Sequence, residues 1–109
     1  MKKSPLAPDS FPKLPIIKGV QFATSQTGIK YIDREDVMLV KLSPETTISG
    51  VFTRSTMRSA SVLDCQSKIG LGTEQGAAIL ANAGNANTFT GSDGQASVNR
   101  ICEALSLKL

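Results

Sequence analysis

The chain has no histidine and no tryptophan, and only one tyrosine and two cysteines among its 109 residues. Without histidine, neither a Ser-His-Asp nor a Cys-His arrangement can be assembled from these residues. Cys65 and Cys102 lie far apart in no CxxC or Cys/His pattern, so zinc is not expected, and both read as small residues in or near the core of a protein in a reducing compartment. No apolar run approaches the length that spans a bilayer. The residues after Met1 hold Pro5, Pro8, Asp9 and Pro12 where a signal peptide would carry a continuous apolar segment. The expectation is a soluble, cytoplasmic protein with no membrane partner. The net charge of +3 comes from 12 basic and 9 acidic residues scattered along the chain. With no basic cluster interleaved with aromatics, a nucleic-acid partner is not expected either.

What the sequence does hold, 40% hydrophobic and 19% charged residues, describes an ordinary domain with one modest core. Residues 1–15 carry four of the five prolines and read as an extended Pro-rich arm, with Lys2 and Lys3 solvated; regular structure is expected over 16–109. Ile16 to Ala23, the turn TSQTG, and then Ile29 and Tyr31 suggest a short strand pair. DVMLVKL, Asp36 to Leu42, has the β-branched and long apolar content of a strand and is closed by SPETT. ISGVFTR, Ile48 to Arg54, predicts another strand with a bulge or close approach at Gly50. Ser59 to Ile69 suits a short amphipathic helix, and Ala77 to Ala81 a buried strand. Ser92 and Gln95 stand at capping-box spacing, and Val98, Ile101, Cys102, Leu105 and Leu109 then recur on one helical stripe. The pattern predicts a mixed α/β fold. The carboxylates of Asp33, Glu35 and Asp36 form no metal pattern and read as a turn before a strand.

Between the Ala77–Ala81 strand and the last helix lies NAGNANTFTGSDG, Asn82 to Gly94, in which Gly, Asn and hydroxyl residues are concentrated. It is neither a Walker loop, since no Gly-Lys-Ser/Thr follows, nor a GxGxxG turn. Two readings stand side by side. One is a tight turn in which Asn85 and Asn87 bond their own backbone and Gly84 takes a positive φ. The other is a backbone that aims N–H groups and the positive end of a helix at an anion or oxyanion. Arg54 and Arg58 are basic residues that suit a carboxylate or phosphate, although exposed arginines are common on any surface.

GVFTRSTMRSASVL, Gly50 to Leu63, and AAILANAGNANTFTGSDG, Ala77 to Gly94, resemble, in order and spacing, paired segments near the amino terminus of the ornithine acetyltransferase family, the bifunctional glutamate N-acetyltransferases of arginine biosynthesis. The resemblance implies a layered sandwich of sheet and helices and a precursor that cleaves itself ahead of a threonine. The new amino-terminal threonine is the acyl-transfer nucleophile and uses its own α-amine as base, so the chemistry needs no histidine. It further implies acetyl transfer from N-acetylornithine, and in bifunctional members from acetyl-CoA as a substrate, to glutamate, with no resident cofactor. Thr90 and Gly91 match the family's Thr-Gly pair that lines the oxyanion hole. On this resemblance residues 16–109 correspond to the amino-terminal part of the family's α-chain. The nucleophile lies beyond Leu109, the chain alone is inactive, and its partners are the remaining segments of the precursor, including the β-chain, in a hetero-oligomer. Two other readings are a non-catalytic binding or assembly module and a part of a related self-processing amidohydrolase.

Overall fold

The computed structural model describes residues 4–109; the reading of Lys2 and Lys3 lies outside them. Three strands, β1 (Val20–Ser25), β2 (Val37–Leu42) and β3 (Ala77–Asn82), and two helices, α1 (Ala60–Lys68) and α2 (Gly91–Ser106), make a small mixed α/β unit. The sheet is antiparallel throughout, in the order β1-β2-β3. β2 takes the centre because its run of Val, Met and Leu side chains suits a strand flanked on both sides. Residues 43–76 carry the chain away from the sheet and back, and α1 forms within this excursion.

The register aligns Val20, Leu42 and Ala77 across the sheet, then Phe22, Val40 and Ile79, then Thr24, Met38 and Ala81. Since alternate residues share a face, these three rows make one largely apolar surface. Val40 and Leu42 are buried in its middle, whereas Phe22 and Ile79 on the outer strands stay well exposed. Ala60 on α1 and Val98 on α2 complete the buried apolar set among the described residues. The helices pack on each other, and no Cα of either comes within 8 Å of a strand Cα. The chain's end still reaches the sheet, where the Lys41 Nζ donates to the Leu109 carbonyl at 3.0 Å.

One polar residue is part of this framework. Asp36 is 4% exposed and ties one end of the sheet together. Its N–H donates to the Ser25 carbonyl at the end of β1 at 3.1 Å, and its carbonyl accepts from Ala83 just after β3 at 2.8 Å. Its carboxylate accepts the N–H groups of Thr27 and Ile29. This explains a departure from the sequence reading: with the Thr27 and Ile29 N–H groups committed to Asp36, the Ile29–Tyr31 segment forms no strand, and β1 pairs instead with β2.

Three further expectations are corrected. Ile48 to Arg54 forms no strand, and Val51 is 99% exposed. Just beyond it, backbone N–H groups turn to nearby hydroxyls, Ser55 to Thr53 Oγ1 and Met57 to Ser55 Oγ, which is the local competition that keeps such residues out of ladders. Gly50 is accordingly no bulge. Strand β3 is not buried but is an edge strand with Ile79 and Leu80 exposed. Cys65 is exposed on α1, while Cys102 is half-buried with its Sγ 3.7 Å from Asp64 Oδ2; both are free thiols. Asp64 also pairs with Lys68 one turn on, at 2.7 Å, a favourable i,i+4 arrangement. Among the described residues no helix is long and apolar enough to cross a membrane.

Candidate functional site

The stretch from Asn82 to Gly94 leaves β3 and ends in the first turn of α2. Its first half is a turn built as its composition predicts. Gly84 has φ 109°, and Asn85 Oδ1 accepts the Asn87 N–H at 3.0 Å while Asn85 Nδ2 donates to Asn87 Oδ1 at 3.0 Å. The Asn87 carbonyl then accepts the N–H of Ala60, the first residue of α1, at 3.1 Å. Here the loop is fixed against the start of the other helix.

The second half is more unusual. Asn87, Phe89 and Gly91 all have positive φ, at 49°, 58° and 55°, with Thr90 between the last two at φ −99°, ψ 3°. For a bulky aromatic such as Phe89 the left-handed region is costly, and strain of this kind collects at ligand sites. Alternation in the sign of φ is also the pattern from which backbone concavities with inward N–H groups are built. Gly91 meets that demand without penalty, and a Cβ placed on it would touch nothing within 4 Å.

Helix α2 starts two residues earlier than the Ser92–Gln95 spacing implies. Its N-cap is Thr90, and Ser92 lies inside the helix, so no capping box forms; Gln95 Nε2 instead donates to Asn99 Oδ1 at 3.1 Å. A threonine at an N-cap ordinarily accepts an N–H of the first turn, yet the Thr90 side chain makes no capping bond. Among the described residues its hydroxyl has no hydrogen-bond partner, and neither has the Gly91 N–H. The helix forgoes a cap and leaves both donors free at its positive end.

Both residues are exposed and open onto one pocket of about 320 Å³. Met57, Leu63 and Phe89 supply apolar wall, and Arg58 is the only charged residue lining it. Arg58 is half-buried; its Nη1 donates to Gln66 Oε1 at 2.7 Å, and its Nε is sealed from solvent without a partner. Arg54, the other basic residue singled out by sequence, is exposed and does not line the pocket. Thr90 and Gly91 are thus brought together at a cavity free of carboxylates, on a helix N-terminus, beside one arginine. Such a place favours negative charge.

Sequence reasoning missed two residues that shape this part of the molecule. Asp36 reads as one member of an acidic turn, yet it is the buried carboxylate that organises residues 27–29. Gly94 reads as an ordinary glycine, but it lies buried directly beneath the Thr90 side chain. No local pattern marks either role, because both depend on contacts made only in the folded chain.

A family model, that of the ArgJ family, matches residues 21–109. Three similar proteins each carry the name arginine biosynthesis bifunctional protein ArgJ. That of Ruegeria pomeroyi is 54% identical over 105 residues, which is 96% of this chain and 26% of the relative. That of Agrobacterium fabrum is 45% identical over 93 residues, 85% of this chain and 22% of its own length. The protein of Bartonella quintana is 38% identical over 109 residues, 100% of this chain and 26% of its own. The chain therefore spans about a quarter of the length of the curated relatives it matches. A match that runs from β1 to the last residue of the chain, through both segments flanking the pocket, makes this chain a member of the ArgJ family.

Proposed function

We propose that this chain is the amino-terminal part of an acetyltransferase that moves an acetyl group from N-acetylornithine, and in a bifunctional enzyme also from acetyl-CoA, to glutamate in arginine biosynthesis. In this reading Thr90 and Gly91 form its oxyanion hole. The observation that carries it is that Thr90 and Gly91, whose hydroxyl and N–H have no partner among the described residues, line one pocket at the start of α2.

The chemistry follows from charge. An amino-terminal threonine supplied by a later segment attacks the acetyl carbonyl, with its own α-amine taking the hydroxyl proton. The carbonyl oxygen becomes negative in the tetrahedral intermediate, and two fixed donors at a helix N-terminus stabilise it more in that state than in the planar substrate. Collapse releases ornithine and leaves an acetyl ester on the threonine. The amine of glutamate then attacks this ester, and a second intermediate held by the same donors collapses with cleavage of the ester C–O bond, releasing N-acetylglutamate and restoring the threonine hydroxyl. No internal threonine of this chain has a free α-amine, so the nucleophile comes from outside residues 1–109 and the chain alone is inactive.

The later segments are also its partners, completing a layered sandwich in which the chain is one component of a hetero-oligomer. The row Phe22, Val40 and Ile79, exposed at both outer strands, is the kind of apolar surface that such a partner covers. To test the proposal, the complete protein containing this segment is assayed for transfer of labelled acetyl from N-acetylornithine to glutamate, and its intact mass is recorded during turnover. Transfer together with cleavage ahead of a threonine and an acetyl adduct on the new terminus is expected. A complete protein that neither cleaves nor transfers acetyl is instead a binding or assembly module.

A further inference from the structure

Gly94 lies in the first turn of α2, four residues after Thr90, and its N–H donates to the Thr90 carbonyl at 3.2 Å. A Cβ built on Gly94 would collide with the Thr90 Oγ1 and come within 2.8 Å of the Thr90 Cβ. Rotation about χ1 moves Oγ1 aside but leaves the Cβ contact in place, so the backbone of the N-cap itself has to shift. The same added Cβ would sit 3.7 Å from the Ala60 Cβ, an ordinary van der Waals distance. Helix α1 is therefore not the obstacle; the Thr90 side chain is. Unlike Gly84 and Gly91, Gly94 is not among the positive-φ glycines. Helix propensity alone would favour alanine there, and what glycine provides is space.

We propose that Gly94 is a positioning residue for the Thr90 hydroxyl. By presenting no side chain, it lets Thr90 fold back over the first turn of α2 at the pocket wall, with its hydroxyl free rather than spent on capping. The catalytic consequence rests on the reading of Thr90 as an oxyanion donor; the steric relationship does not.

The test is a double-mutant cycle in the complete protein, read in two ways. In kinetics, Gly94→Ala is expected to lower kcat about a hundredfold, the scale on which a misplacement of about 1 Å is felt, with KM little changed. Thr90→Gly/Gly94→Ala, which lacks both colliding atoms, is expected to be no slower than Thr90→Gly, because two changes acting through one group are not additive. A wild-type kcat for Gly94→Ala beside a slow Thr90→Ala overturns the proposal while leaving the oxyanion reading intact. A fast Thr90→Ala removes the oxyanion reading and with it any catalytic role for Gly94. In stability, Gly94→Ala is expected to melt below the wild type, whereas Thr90→Gly/Gly94→Ala, which lacks both colliding atoms, melts no lower than Thr90→Gly. This arm decides the steric claim even if Gly94→Ala folds too poorly to assay. A double variant as damaged as Gly94→Ala places the collision somewhere other than Thr90 and overturns the proposal.

Discussion

The Asp36 carboxylate accepts both hydrogens that Thr27 can give, the backbone N–H at 2.7 Å and the hydroxyl at 2.8 Å. Its second oxygen takes the Ile29 N–H at 2.7 Å. A charge that is 4% exposed is tolerated because its lone pairs are answered by oriented donors. The Thr27 N–H bond is the largest influence on its pKa and, with the Thr27 hydroxyl and Ile29 N–H, outweighs burial, holding Asp36 below its ordinary value of 3.8.

The direction of that shift sets a pH dependence. A carboxyl whose pKa is depressed in the folded state contributes stability that is fully present above its unfolded pKa and is lost as pH falls through the folded value. The contribution of Asp36 is therefore intact at neutral pH and declines below about pH 4, where the unfolded chain takes up the proton first. Asp36→Asn turns an amide toward a backbone N–H that needs an acceptor, and should lower the melting temperature by several degrees at pH 7. Melts of both proteins from pH 7 to pH 2 should converge at the acid end. Parallel curves would remove Asp36 from the account of acid sensitivity.

At Gly91 the cost of a side chain is conformational and nothing else, since φ is 55° and an added Cβ meets no atom within 4 Å. Gly91→Ala should lose about 1–2 kcal/mol in urea unfolding, the penalty for an L-residue in the left-handed region. Ser92→Ala, one residue along the exposed start of α2, should change stability by less than about 0.5 kcal/mol. Equal effects at the two positions would mean that Gly91 does not hold this backbone in solution.

The apolar sheet row can be probed at Phe22, which is 67% exposed and stands beside Val40 in the register. Phe22→Thr keeps a good strand former while removing the ring. The variant should bind markedly less of an apolar-surface dye such as ANS, with stability changed by no more than about 1 kcal/mol. Unchanged dye binding would show that this row is not the accessible apolar surface.

Where sequence legibility ended has a physical pattern. Strands β2 and β3 and both helices announce themselves through their own side chains. Asp36 to Leu42 and Ala77 to Ala81 match observed strands within one residue, and the two helical stripes fall on α1 and α2. The failures involve groups whose partners are decided elsewhere. Ile29 and Tyr31 have strand-like side chains, but a carboxylate seven residues ahead of Ile29 takes its N–H. Ile48 to Arg54 has a strand's composition but pairs with none of the three strands among the described residues. At the candidate site, residue chemistry alone left a tight turn and an oxyanion cradle both open; Gly84 to Asn87 form the turn, and Thr90 and Gly91 line the pocket with a hydroxyl and an N–H that have no partner among the described residues. Ser92 and Gln95 had the spacing of a capping box, but the Gly94 N–H already bonds the Thr90 carbonyl and the helix starts earlier; a backbone bond of that kind leaves no mark in a spacing pattern.

The most direct measurement of the central claim is kcat for acetyl transfer by the complete protein carrying Thr90→Ala, compared with the wild type at saturating N-acetylornithine. If the Thr90 hydroxyl is an oxyanion donor, kcat falls by about two to three powers of ten while KM changes little, because the lost bond is made chiefly in the transition state. A kcat within a few-fold of the wild type would contradict the account, and the free hydroxyl at the start of α2 would then have no part in the chemistry.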